Sequence, residues 1–190
     1  MTVILKRVEV LEKEELLHIV ENNLSVLDGS LQLIGKKLGP RNEPPWELLA
    51  VRQDRRLVLI ALETRIADRT LLKLLRNIDW AWENLETFAS IYASYGIDSD
   101  QMPCVMVVAP SYPPFFKKSL NYFTYRIEIN LFSYSCLESE KGRGVLVEPV
   151  EKKVVKYDHR VKADAGKRIP REEFSKNLKV TTEEIMEFLQ

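Results

Sequence analysis

Between residues 12 and 27 the apolar positions Leu16, Val20, Leu24 and Leu27 recur three or four apart, which predicts a helix that Asp28-Gly29 ends. Residues 2–10, before it, read as a short strand. From residue 30 to 37 the period shortens, because Leu31, Leu33 and Gly35 alternate with Gln32, Ile34 and Lys36. Gly39, Pro40, Pro44 and Pro45 then mark an irregular loop. Residues 46–51 and 57–65 are short, branched and apolar, and the polar link between them, residues 52–56, has hairpin length. These three segments predict an antiparallel meander.

Residues 67–95 keep a 3.6-residue rhythm through Leu71, Leu74, Leu75, Ile78, Trp82, Leu85, Phe88 and Ile91 without glycine or proline, so one long buried helix is expected. A continuous apolar strand at 104–109 closes at Pro110, and Pro113-Pro114 opens a shorter helix to about residue 123. Ile127, Ile129 and Leu131 alternate with Glu128, Asn130 and Phe132 as a last core strand. The order α, β, β, β, α, β, α, β makes an α/β sandwich with a mixed sheet. Composition changes after residue 140. Residues 151–171 hold Lys152, Lys153, Lys156, Arg160, Lys162, Lys167, Arg168 and Arg171 against three acids, and residues 181–190 place Ile185, Phe188 and Leu189 on one side of a short helix. The division expected is a core domain over 1–140 and a basic arm with a small helix over 141–190.

Twenty-eight Lys and Arg balance 28 Asp and Glu, so any polyanion site must be local. No uninterrupted apolar run exceeds six residues, against about 20 for a spanning helix. Two cysteines and two histidines leave no zinc motif, no disulfide scaffold and no multi-histidine centre within one chain. No GxGxxG, GxxxxGK[ST] or GxSxG occurs in any frame. A soluble protein of a reducing, cytoplasmic compartment is expected, with no membrane partner. Its chemistry would run on carboxylates, lysines and arginines.

Glu63 and Arg65 stand two apart where the strand after the hairpin runs out of apolar residues, and on a strand they share one face. Glu47, on the neighbouring strand, can point to that face and make a two-carboxylate pair. Such a pair suits a hard cation such as magnesium, which takes one or two carboxylates and keeps water and substrate phosphate in its other positions. The competing reading leaves Glu47 in the loop and makes Glu63 with Arg65 a strand end reaching solvent. In the first helix Glu15 falls on an otherwise apolar side, as a third site acid or as a first-turn glutamate favoured by the helix dipole, a place Glu14 fills nearly as well.

Taken together, a helix glutamate, a strand acid within Trp46-Glu47-Leu48-Leu49-Ala50-Val51, a hairpin, Ile60-Ala61-Leu62-Glu63-Thr64-Arg65, and a long helix with Asn77-Ile78-Asp79-Trp80 resemble the PD-(D/E)XK, or restriction-endonuclease-like, superfamily. The resemblance spans residues 12–131. It implies a mixed central sheet flanked by helices on an αβββαβ core. It further implies that Glu47 and Glu63 are metal ligands for magnesium or manganese, that Arg65 takes the place of the motif's lysine, and that Glu15 is the helix-one acid. If active, such a protein is a metal-dependent phosphodiester hydrolase, a deoxyribonuclease. The sequence departs from the motif at two places: Glu47 stands where aspartate is usual, and Arg65, too basic to accept a proton, stands where lysine is usual. Lys73 and Asn77 match helix positions where the family often has glutamine and tyrosine. Lys73 reads either as a migrated catalytic lysine or as a solvated helix lysine.

The reading these residues favour is a DNA-binding protein of nuclease-like fold, descended from a magnesium-dependent endonuclease and impaired in cleavage. Lys36, Lys37, Arg41, Lys73, Lys152, Lys153 and Arg160 are the expected phosphate contacts. An active magnesium-dependent endonuclease is one alternative. A non-enzymatic assembly module that reuses the fold as a scaffold and never meets DNA is the other; for the basic arm, pairing with acids of a second copy, as in a homodimer, is a further reading.

Overall fold

The structure is a computed structural model in which residues 6–8, 12–39, 46–120, 127–139 and 142–151 are described. The chain divides into a unit of Met1–Val155 and a unit of Lys156–Gln190, and the second lies outside the described residues together with the expected short helix at 181–190.

A seven-stranded mixed sheet organises the first unit. Strand β1 (Lys6–Val8) is followed by helix α1 (Lys13–Asn22), and then by the antiparallel meander β2 (Gln32–Leu38), β3 (Trp46–Val51) and β4 (Leu57–Leu62). Helices α2 (Thr70–Glu83) and α3 (Leu85–Ile91) cross over to β5 (Cys104–Ala109), which pairs parallel with β4. Helix α4 (Pro114–Leu120) leads to β6 (Ile129–Ser139), parallel to β5, and β6 turns into antiparallel β7 (Gly142–Glu151). Strand β1 pairs with β6 at Cys136 to Glu138, beyond the residues that β5 occupies. The segment from α1 to β5 therefore has the expected αβββαβ order.

Every residue of β3, β4 and β5 is buried, which explains why these strands read as continuous apolar runs. On one face Leu49, Leu59, Ala61 and Val107 meet Leu74 and Ile78 of α2, Leu85 of α3 and Phe116 of α4. On the other, Leu48, Ile60 and Met106 meet Leu16 and Val20 of α1.

Three expectations need correction. The first helix stops at Asn22 and gives way to a 3₁₀ turn at Leu24–Val26, because Asn22 and Asn23 donate side-chain amide hydrogens to the carbonyls of His18 and Ile19, both at 2.9 Å. Leu24 and Leu27 stay buried, so the apolar rhythm outlives the α-helical backbone. The long second helix breaks at Asn84, whose backbone N–H and side-chain amide both donate to the Trp80 carbonyl, while Trp80 and Phe88 meet edge to face across the break at 5.6 Å. The sheet also continues past residue 140, since β7 is one of its strands; Val145 and Val147 pack toward the α1 face while Gly144, Leu146 and Glu148 are exposed.

Leu59 has no exposed surface and is covered on both sides by neighbouring strands and above by helices. Leu59→Ala is expected to cost about 2–5 kcal/mol in urea denaturation, whereas Ile91→Ala, at a side chain 67% exposed, should stay within about 0.5 kcal/mol.

Candidate functional site

The start of β3 and the carboxyl end of β4 lie at the same end of the sheet, because the two strands are antiparallel and pair Leu48 with Ile60 and Val51 with Leu57. Trp46 turns its ring into the α2-side core and sends its indole N–H to the Asn77 carbonyl at 3.4 Å. Glu47, 6% exposed, is held differently. Its Oε2 accepts the backbone N–H of Leu62 at 2.9 Å, and its Oε1 lies 2.5 Å from the Lys13 ammonium at the first position of α1. The carboxylate thus satisfies a β4 amide and binds the helix that covers one sheet face.

Glu63 follows β4 directly, and its backbone N–H donates to the Val108 carbonyl at 2.9 Å, so it stays in register with β5. Its carboxylate accepts from Lys73 Nζ of α2 at 2.8 Å, with both side chains largely buried. Beside it, the Tyr112 hydroxyl sits between the carbonyls of Val107 at 2.6 Å and Phe132 at 2.9 Å, where it has one proton to donate. Burial, with a smaller contribution from the Glu63 charge, holds this phenol well above its ordinary range. It is a neutral strut between β5 and β6.

Two acids therefore stand at the carboxyl end of the parallel strands, each joined to a lysine from a different helix layer: Glu47 to α1 and Glu63 to α2.

The other expected site residues are placed as follows. Strand β4 ends at Leu62, so Arg65 is not two residues along a strand from Glu63; it lies exposed in the bend that follows. The cation beside Glu63 is Lys73. Glu15 is partly buried at the third position of α1, and the residue of this turn joined to Glu47 is Lys13, which the sequence reading passed over because it followed acids on the helix and not bases. Lys36 is exposed and paired with Glu21 of α1, and Lys37 is exposed with a left-handed backbone at φ 50°. Arg41, Lys152, Lys153 and Arg160 lie outside the described residues. Among the described residues no group of three or more His, Cys, Asp or Glu side chains could hold a metal ion.

At the opposite end of the sheet the β3–β4 hairpin carries a charge network that the sequence did not single out. Arg52 donates to Asp54 and Glu128, and Arg56 donates to Glu128 at 2.6 Å. The side-chain bond from Arg52 holds the Asp54 carboxyl below its ordinary range; for Glu128, burial opposes ionisation but the hydrogen bonds from Arg52 and Asn130 outweigh it, and its pKa is also lowered. Burial, reinforced by Glu128, pushes the neighbouring Cys104 thiol up to about 12.

With α1, the β2–β4 meander, α2 and parallel β5 in this order, the chain has the αβββαβ order that the sequence resemblance implies. No family model matches the chain, and no curated protein matches it. Among solved structures it is similar to a repair endonuclease from Pyrococcus abyssi, with 19% identity, 65% of this chain and 48% of that one covered, and a TM-score of 0.45. A second is an EndoMS–dsDNA complex, with 16% identity, 67% and 47% covered, and a TM-score of 0.43. The chain spans about half the length of these solved chains.

Glu47 and Lys13 should be energetically coupled. A double-mutant cycle of Lys13→Ala and Glu47→Gln, followed by chemical denaturation, is expected to return about 1–3 kcal/mol. Additive single effects would show that the pair contributes only its separate contacts.

Proposed function

We propose that this protein binds nucleic acid through the carboxyl end of its sheet and that the Glu47–Glu63 centre, descended from a magnesium site, works without metal. The observation that carries the proposal is the pairing of each acid with a resident ammonium, Glu47 with Lys13 and Glu63 with Lys73. A divalent cation on these carboxylates would have to displace both lysines. The donor set does not fit magnesium or manganese.

Arg65 fits the same reading. It is exposed two residues after Glu63, where a guanidinium can hold a phosphate but cannot prepare a water molecule for attack. Lys36 and Lys37 flank the same end of the sheet, because β2 pairs Lys36 with Leu48 and Leu38 with Trp46. Lys37 and Arg65 supply phosphate contacts on the two sides of the acid–lysine centre. Net charge contributes no long-range attraction, so binding depends on these local cations and on those of the basic arm.

Duplex or branched DNA should bind with an affinity that falls steeply with salt. Lys37→Ala and Arg65→Ala should each lower the slope of log affinity against log salt by about one. Native protein should cut none of these substrates with magnesium or manganese. Metal-dependent cleavage abolished by Glu63→Ala would establish the active endonuclease instead, and an absence of binding at low salt would leave the assembly module as the function.

A further inference from the structure

A cavity of about 340 Å³ opens on the α1 face at the hairpin end of the sheet, one strand length away from the Glu47–Glu63 centre. Its volume falls at the lower end of small-molecule sites, about 300–1,000 Å³. Buried Met106 and Phe132 form an apolar floor, and Leu27 with Asp28-Gly29, just beyond the 3₁₀ turn, forms one wall. Gly29 leaves that wall open: a Cβ there would meet nothing within 4 Å.

The polar groups of the cavity are fixed, and their free valences are mostly of one kind. Asn130 spends its amide hydrogens on Glu128 at 3.2 Å and on Cys104 Sγ at 3.4 Å, which leaves its carbonyl oxygen as the unspent group among the described residues. Asp28 Oδ1 accepts from both the backbone and the hydroxyl of Ser30, leaving Oδ2. Glu128 is already met by Arg52, Arg56 and Asn130. Apart from one remaining Nη1 hydrogen of Arg52, the side chains of the cavity offer acceptors, so a ligand that brings N–H donors suits it.

Arg52 adds a flat surface. Asp54 grips Nε and Nη2 at 3.1 and 2.6 Å while Glu128 takes Nη1 at 2.9 Å, so the guanidinium plane cannot rotate. Arg52 lines the cavity, and a guanidinium held in one plane offers an aromatic heterocycle a surface to stack on. The nearby carboxylates Asp28, Asp54 and Glu128 disfavour a phosphate.

We infer that this cavity binds an amino-bearing nucleobase, adenine or cytosine, with the exocyclic amine donating to Asn130 Oδ1 and the ring stacked on Arg52. This assignment stands apart from the nucleic-acid reading of the opposite end of the sheet, since a free nucleoside satisfies it as well as an unpaired base in a strand. The test is calorimetric titration of the full-length protein with adenosine, inosine and AMP, and with a single-stranded oligonucleotide carrying one adenine among abasic positions. Inosine keeps the ring system but replaces the amine by an acceptor that would oppose Asn130. Adenosine should bind at least tenfold more tightly than inosine. AMP should bind more weakly than adenosine if the source is a free nucleoside, and the oligonucleotide more tightly if the source is a strand. Gly29→Trp, which fills an open wall without touching the core, should abolish adenosine binding with the thermal midpoint unchanged. Equal affinities for adenosine and inosine, or no heat from either at millimolar concentration, would overturn the inference.

Discussion

A carboxylate removed from water at the start of a strand must be met by hydrogen bonds and opposite charge, because an isolated buried charge costs several kcal/mol. Glu47 is in that position, and the layers around it are arranged to answer it. The Leu62 amide supplies one bond from inside the sheet, and α1 supplies an ammonium from its first turn. A lysine at that position is otherwise unfavourable, since the amino end of a helix carries partial positive charge; Glu14 and Glu15 offset it locally. The same solution recurs at Glu63, where Lys73 comes from the other layer.

These two pairs link the site to the fold. Burial of β3, β4 and β5 on both faces leaves ionisable groups only where the strands begin and end, so charge gathers at the two ends of the sheet. One end holds the acid–lysine centre with exposed Lys37 and Arg65 beside it. The other holds Arg52, Arg56, Asp54 and Glu128, which close the hairpin against β6 and shape the second cavity. In the function proposed the first arrangement offers exposed cations to phosphates, and in the inference drawn from the cavity the second offers unspent acceptors.

Much of this was legible in the sequence. The αβββαβ order follows from apolar periodicity and hairpin spacing, and Glu47 and Glu63 stand out as acids at the edges of apolar strands. Spacing could not reveal where each strand stops: Arg65 reads as strand by alternation, but the chain bends after Leu62. Asn84 interrupts a helix whose apolar rhythm runs on unbroken, because the competing bond to Trp80 is a side-chain choice invisible to periodicity. Strand β7 is hard to read because its exposed face mixes Gly144, Leu146 and Glu148 beside a stretch dominated by lysine, so no clear alternation marks it. Lys13 and Lys73 could not be paired with Glu47 and Glu63 from sequence alone, because 34 and 10 residues separate the partners and only the sheet order brings them together.

The claim that lysines stand in place of a cation is most directly tested by manganese binding, followed by electron paramagnetic resonance of the free ion in the absence of nucleic acid. Native protein at equimolar manganese should leave the free-ion signal unchanged, as should Glu47→Gln and Glu63→Gln, since neither carboxylate is available to the metal. Stoichiometric loss of that signal in the native protein, restored by either substitution, would show that the two acids form a working metal site.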